Sequence, residues 1–504
     1  MSNCTTAIRL INSLSPSEKR HFRLATRKQA GKKDYLLLFD IINSSRPGET
    51  TVKKITESFL KRGPESSIDA TSRYLIKIIT DRLIASKTEK DNEFNLFQSL
   101  LRVKVLQERS LQTEAYKDLK KIRDLAISSQ HHIIQYMTFR MELNHLSDQR
   151  FAGIKDNYLV EMQMRAKETL RNIQNIEAHH ALYELIKYRL THLGRIVSDN
   201  DKKKLNDLLL SEISLVTGKV KTSFESRKLH LLFQSFYFTD IADHRSALKS
   251  FHELNRLFEQ NPNLHDHPPI DYFSALEGIL DSLRTVRQYE QVSFYINKLE
   301  KIDTATSPEY FRFLLKKTIA IYTLSVFIGE HDFIGAVDYI HSMNALILTS
   351  YHLVHIEKQA ELHFYCALAY FGKKDFKKAH KYLQVALTDN RDQTQQVIYK
   401  AIRLLNIIIY YELKDMDYLH YEIRSYTRSD KRNGSLTKCE KLIFKTIKWH
   451  PLANSTAKNK LLMKKIIANV QAIRNDKYEG HLIKYMDFPE WSMQKFQQQI
   501  SDGS

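Results

Sequence analysis

Glycine and proline are scarce in this chain: 13 and 9 of 504 residues, about 4% together, where an average chain carries roughly 12%. Sheet-rich and loop-rich architectures need far more turn residues than that. Cysteine is rarer still. Cys4, Cys366 and Cys439 lie far apart and form no CxxC pair. That excludes a disulfide framework and a cysteine-built zinc site, and fits a reducing compartment. Long apolar runs are missing too. The opening MSNCTTAIRLINSLSPSEKR lacks the apolar core of a signal peptide. The most apolar stretch, 318–328, is about half the ~20 residues a membrane span requires, and Glu330 and Asp332 follow it. A soluble, cytoplasmic protein without membrane partners is expected.

Catalytic signatures are equally absent. The chain has no Walker loop, dinucleotide fingerprint, nucleophile elbow or HExxH. Its glycines are spread singly, so no loop can cradle a phosphate through backbone amides. No catalytic residue, cofactor or metal is therefore expected, and the chain does not read as an enzyme. What is present is apolar content of 42%, with 26 Tyr and 25 Phe, too much for a disordered polymer. A long chain with few helix breakers and ample apolar residues points to stacked helices.

The net charge of +19 is uneven. Residues 1–33 carry +7 and residues 431–484 carry +10, while 34–430 hold only +4. Both ends are basic and the middle is nearly balanced.

Internal periodicity sets the expected fold. Ile328-GEHDFIGAVDYI and Phe371-GKKDFKKAHKYL align at a spacing of 43 residues, with Gly329 over Gly372, Asp332 over Asp375, Phe333 over Phe376 and Ala336 over Ala379. The glycine is expected to end one helix in the left-handed region. The aromatic covers the turn. The alanine lets the returning helix approach its partner to ~8–10 Å. Weaker copies keep the frame, and the turn positions 244, 289, 333, 376 and 418 step by 45, 44, 43 and 42. A looser candidate lies at Ala115, Leu119, Ile122 and Ala126.

Residues 360–386 resemble a tetratricopeptide unit, with Ala367 and Tyr370 in the first helix and Phe376, Ala379, Leu383 and Ala386 in the turn and second helix. The opening SLSPSEKRHF also resembles that of large tetratricopeptide-like proteins of Bacteroidota, a likeness that carries no activity with it. The resemblance covers roughly 90–430 and implies an all-α, antiparallel helix-pair solenoid of long period (42–45 residues) between helical caps. The expected divisions are 1–87, 88–430 and 431–504. In that family the first helix of each pair lines a concave peptide groove. Carried over, the groove candidates are Ile321, Ser325, Ile328, Phe364, Leu368, Phe371, Asn406 and Tyr410. A groove this apolar suits an amphipathic helix or extended peptide, unless neighbouring repeats close over it. The family's clamp for a terminal carboxylate needs Lys and Asn where Phe364 and Leu368 stand, so that subclass is not expected. The resulting expectation is a non-enzymatic scaffold for a protein or peptide partner.

The ends offer an alternative. Ser15-Pro16-Ser17-Glu18 reads as an N-cap, a first-turn proline and a capping-box acid. Helices are expected at 35–43, 51–61 and 68–85, the last capped at Ser66. Arg73, Lys77 and Arg82 leave open a helix-turn-helix instead of a helical cap. Near the other end, Leu436, Cys439, Ile443 and Ile447 share one helix stripe. Lys438, Lys441, Lys445 and Lys448 take the opposite face, and Lys460, Lys464 and Lys465 follow. Such lysines suit nucleic-acid phosphates, an acidic protein, or merely the polar outer face that a terminal repeat needs. A nucleic-acid-associated regulator is the runner-up.

Glu-x-x-His occurs at Glu18/His21, Glu142/His145 and Glu177/His180, a spacing di-iron bundles use. Chance accounts for most of it, so these pairs and the doublets His131–His132 and His179–His180 are expected on solvated helix faces. His352/His355 and His363/Cys366 also share faces, the latter expected as core.

Overall fold

The computed structural model describes residues 2–27, 33–45, 52–89, 91–192, 196, 199–217, 223–302, 307–343, 345–348, 356–389, 397–431, 436–449 and 456–502. Among these the fold is all-α, with no strand, and no helix is long and apolar enough to cross a membrane. The first group is α1 (Asn3–Ser13), α2 (Pro16–Arg27), α3 (Asp34–Ser44), α4 (Val52–Leu60) and α5 (Ile68–Thr88). These helices share a core built on Ile11, Leu38, Phe39, Phe59 and Leu75. The capping box of α2 is present: the Glu18 N–H donates to Ser15 Oγ at 3.2 Å and the Ser15 N–H to Glu18 Oε2 at 2.7 Å. Helix α5 is capped one residue later than expected, by Ser67 Oγ accepting the Ala70 N–H at 3.4 Å, and the Ser66 N–H donates to Asp34 Oδ2 at 2.7 Å.

Next come α6 (Asn92–Glu108), α7 (Gln112–Ser128) and α8 (His132–Asp148), each 17 residues long. Ala115, Leu119, Ile122 and Ala126 are all buried in α7, as their spacing requires. The long α9 (Asp156–His192) and the shorter α10 (Asp199–Lys203) and α11 (Asn206–Val216) lead into a run of helix pairs. The pairs are α12 (Phe224–Asp240) with α13 (His244–Gln260), and α14 (Ile270–Thr285) with α15 (Tyr289–Ile302). Then α16 (Glu309–Gly329) pairs with α17 (Phe333–Ser342), followed by the short α18 (Ala345–Leu348). The last are α19 (Ile356–Gly372) with α20 (Phe376–Asp389), and α21 (Val397–Leu413) with α22 (Met416–Lys431).

One turn recurs in these pairs. A residue with positive φ (Ala242, Arg287, His331, Lys374, Lys414) ends the first helix. The next N–H then reaches back five residues, as from Asp375 to the Tyr370 carbonyl at 2.9 Å, which satisfies an orphan helix-end acceptor. In four of the five turns that next residue is an aspartate. Asp243, Asp332, Asp375 and Asp415 each cap the returning helix by accepting the N–H three residues on. Replacing Asp375 by alanine should cost ~1 kcal/mol at neutral pH, measured by urea unfolding. The Lys378 backbone N–H holds the Asp375 carboxyl below its ordinary value. A depressed acid contributes above its unfolded pKa and loses that contribution as pH falls through the folded one. The difference between D375A and wild type should accordingly shrink in acid, below about pH 4.

The turn positions 244, 289, 333 and 376 coincide with the first residues of the returning helices α13, α15, α17 and α20. The fifth does not: Asp415 caps α22, so that helix begins at Met416 and Tyr418 lies within its first turn. The glycines also have a different role. Gly329 and Gly372 are the last residues of α16 and α19, and the left-handed positions belong to His331 and Lys374. A Cβ on Gly329 would overlap the Tyr289 ring, and one on Gly372 the Phe333 ring. Each glycine makes room for the turn aromatic of the preceding pair. Ala247, Ala336 and Ala379 are fully buried in the second helices, where close helix packing leaves space for a methyl only.

The chain ends with α23 (Lys438–Lys448), α24 (Thr456–Asn475), a 3-10 turn at Lys477–Glu479, α25 (Gly480–Ile483) and α26 (Phe488–Asp502). A single apolar core runs from Ala320 in α16 to Phe496 in α26, so it crosses residue 430 without a break.

Candidate segment-binding face

Three first helices of pairs supply the face. On α14, Glu277, Asp281 and Arg284 are spaced by four and three, which puts them on one side of the helix. Helix α19 contributes Lys358, Glu361, Phe364 and Tyr365, and α21 contributes Tyr411 and Glu412. Residues 477–499 fold back across this side.

The centre is a buried charge network. Arg284 is 2% exposed and donates to Glu361 Oε1 at 2.7 Å, to the Tyr365 hydroxyl at 2.9 Å and to Asp281. Its guanidinium lies 5.0, 5.5 and 5.3 Å from the ring centres of Tyr322, Tyr365 and Tyr485, within cation–π range. Lys358 pairs with Glu277 and, at 3.3 Å, with Glu361. From the returning segment, Lys484 reaches Asp281 Oδ2 at 3.0 Å, and the Tyr485 ring meets Phe364 edge-on at 6.0 Å. Burial alone would raise the Asp281 carboxyl. Lys484 and Arg284 outweigh it and hold the group well below the usual carboxylate range. Burial likewise opposes ionisation of Glu361, and Lys358 with Arg284 reverses that too. Three carboxylates therefore face three cations, and only one of the six groups, Lys484, comes from the segment.

Two flanking contacts hold the segment at its ends. Glu412 accepts from Trp491 Nε1 at 3.1 Å and from Lys495 Nζ at 2.9 Å, while the Tyr411 ring meets Trp491 edge-on at 5.9 Å. At the other end His481 Nε2 lies 3.2 Å from the Asp240 carbonyl of α12, and Arg287 pairs with Asp487 at 2.7 Å. Burial pushes the neighbouring Asp240 carboxyl up to about 6.

The expected groove residues are thus not an open groove. Ile321, Ser325, Phe364, Leu368, Asn406 and Tyr410 are buried, and Ile328 and Phe371 are partly buried. Phe364 does face the segment. Asn406 and Tyr410 do not: both turn towards His380 of α20, at 3.2 and 3.5 Å. The side chains of α21 that meet the segment are Tyr411 and Glu412, at the end of the helix beyond both candidates. The missed network did leave a signal. Asp281/Arg284 and Lys358/Glu361 are opposite charges three apart on helices otherwise rich in apolar and aromatic residues.

Lysines of α23 behave as the stripe requires. Cys439, Ile443 and Ile447 are buried, Leu436 is partly so, and Lys438, Lys441, Lys445 and Lys448 are exposed. Lys438 is tied to Asp476 at 2.6 Å. Lys464 and Lys465 of α24 are exposed as well, and the Lys460 side chain lies outside the described residues. Helix α26 packs on both α23 and α24.

The histidine expectations need correction. Glu142 is fully buried and His145 nearly so. Glu142 takes Arg123 at 2.7 Å and the hydroxyls of Tyr116 and Tyr158 at 3.1 and 3.3 Å, while His145 stacks on Tyr116. This pair belongs to an interior network because three donors converge on the carboxylate. His179 is also buried, packed against His230. Glu177 is exposed. His363 and Cys366 sit in the core, and His352 and His355 lie outside the described residues. Among the described residues no group of three or more His, Cys, Asp or Glu side chains could hold a metal ion.

Set against models of protein families, curated proteins and solved structures, the chain matches none.

Proposed function

We propose that this protein is a cytoplasmic, non-enzymatic scaffold of tetratricopeptide-like α-solenoid type that binds polypeptide segments along the first helices of its pairs. One observation carries the proposal: a segment, 477–499, lies across α14, α19 and α21 and is held by paired charges and aromatic rings. The recurrent left-handed residue followed by an aspartate cap, with a buried alanine in the returning helix, supports the solenoid assignment.

The same side is uncovered on the first pairs. Counted back from the left-handed residues Ser110, Arg150 and Lys374, Phe97 and Met137 occupy the place of Glu361, and Leu101 that of Tyr365. Phe97, Leu101 and Met137 are exposed, as are Val105 and Ile133. Exposed apolar groups clustered on adjacent helices mark interaction surfaces. A partner is therefore expected at α6 and α8.

The test is affinity capture from source-organism lysate near ~150 mM salt, where long-range charge effects are largely screened, with and without nuclease. Protein partners that survive nuclease and are lost on Leu101→Glu or Met137→Glu support the scaffold. These positions are exposed, so both variants should fold; Phe364→Glu would bury a charge and report only unfolding. The second reading, a nucleic-acid-associated regulator, is favoured by Lys441, Lys445 and Lys448, which are exposed and pair with no carboxylate among the described residues. Partners lost after nuclease and on Lys441→Glu/Lys445→Glu would promote it over the first.

A further inference from the structure

We propose that the face beneath residues 477–499 is an exchangeable site for an outside helical segment presenting lysine beside aromatic side chains, with the chain's own C-terminal segment as resident competitor. The proposal rests on the scaffold reading and names the chemistry of what that face takes.

Charge states the preference. Without its occupant the face carries Glu277, Asp281, Glu361 and Glu412 against Arg284 and Lys358. The occupant brings Lys484 to Asp281 and Lys495 to Glu412, at 3.0 and 2.9 Å. An acidic or purely apolar segment leaves Glu412 without a cation and Asp281 with Arg284 alone, which costs more than burial of a ring returns.

Aromatic placement narrows the occupant. Tyr485 sits between the Arg284 guanidinium and the Phe364 ring, and Trp491 gives its indole N–H to Glu412 while its ring meets Tyr411. A matching segment therefore carries a Lys-aromatic pair in a turn, as Lys484 and Tyr485 lie between α25 and α26, and then a second aromatic and a second lysine four residues apart on one helix face. Trp491 and Lys495 have that spacing within α26.

The segment also buries Leu482, Phe488 and Phe496 in the apolar core, so an outside segment must bring apolar side chains to those places besides its charges. On its other side α26 packs on α23 and α24, with Phe496 against Trp449 at 5.1 Å. A tethered occupant competes at an effective concentration near ~1 mM, so an outside segment prevails only through tighter binding or a weakened tether.

The probe is a fluorescent synthetic peptide of residues 477–502, titrated against full-length chains and followed by anisotropy. Lys484→Glu/Lys495→Glu weakens the resident segment and leaves the face intact. It should bind the wild-type peptide ~100-fold more tightly than the wild-type chain does. That chain should not bind a peptide carrying Lys484→Glu and Lys495→Glu. Equal affinity for both chains, no binding to either, or equal binding of the charge-reversed peptide overturns the proposal. If circular dichroism shows the variant unfolded, hydrogen exchange on the wild-type chain decides. Amides of 481–499 should exchange faster than those of α21 beneath them; exchange at one common slow rate makes the segment a permanent part of the core. Because the probe is this chain's own sequence, a lysate without partners defeats the scaffold reading but leaves the peptide result readable.

Discussion

Arg284→Met should lower the unfolding free energy by about 3–5 kcal/mol, because it strips the shared cation from two buried carboxylates. Total stabilities of domains are only about 5–15 kcal/mol, so the loss should be visible as an early transition in urea. Asp281 retains Lys484 and Glu361 retains Lys358, but Tyr365 loses its partner and three rings lose the guanidinium. A second variant separates the pairing from the space it fills. Arg284→Met with Glu361→Gln leaves two carboxylates against two cations, Glu277 with Lys358 and Asp281 with Lys484, and should recover most of the loss. If the single change costs under about 1 kcal/mol and the double is no better, water reaches the network and the face is open. The acid limb gives an independent check. Asp281 and Glu361 are both held below their ordinary values in the folded protein. Their contribution is complete above the unfolded carboxylate range and disappears as pH falls through the folded values. Wild type should thus lose stability in acid more steeply than the double variant, which lacks the Glu361 carboxyl.

Local rules explain what was legible in the sequence. A proline after serine, an acid three residues on, or an aspartate ahead of an aromatic fixes a helix end through bonds among a few neighbouring residues. The Ser15–Glu18 box and the turns that open α17 and α20, at Asp332-Phe333 and Asp375-Phe376, accordingly fall where the sequence places them. The candidate site obeys no such rule. Arg287 meets Asp487 across 200 residues, and Lys484 meets Asp281 across 203. No periodicity connects residues that far apart, and the terminal stretch has the same amphipathic character whether it caps the last pair or folds back over earlier ones. Burial of Glu142 was hidden for a related reason: its donors Arg123, Tyr116 and Tyr158 come from two other helices. Glu-x-x-His on one helix says nothing about what the next helix brings.

The glycine–aromatic pairs lie between these extremes, since the repeat displays both members without showing that they touch. Gly372→Ala should destabilise by ~1–3 kcal/mol, because the added methyl has nowhere to go except into the Phe333 ring. In a Phe333→Ala background the sign should reverse. With the ring gone, alanine gains the helix propensity that glycine lacks, up to ~1 kcal/mol for this last residue of α19. A double-mutant cycle in urea measures that reversal, and a coupling beyond about 1 kcal/mol is expected for residues in contact. The same cycle on Gly329 and Tyr289 should behave alike, since that ring occupies the same place one pair earlier. Equal effects of Gly372→Ala in both backgrounds would remove the reason for the glycine, and with it the rule that each pair's turn aromatic packs on the next pair's glycine. If the reversal is found, the spacing from Phe333 to Gly372 and from Tyr289 to Gly329 reports how successive pairs stack, because ring and glycine meet only when neighbouring first helices hold that register.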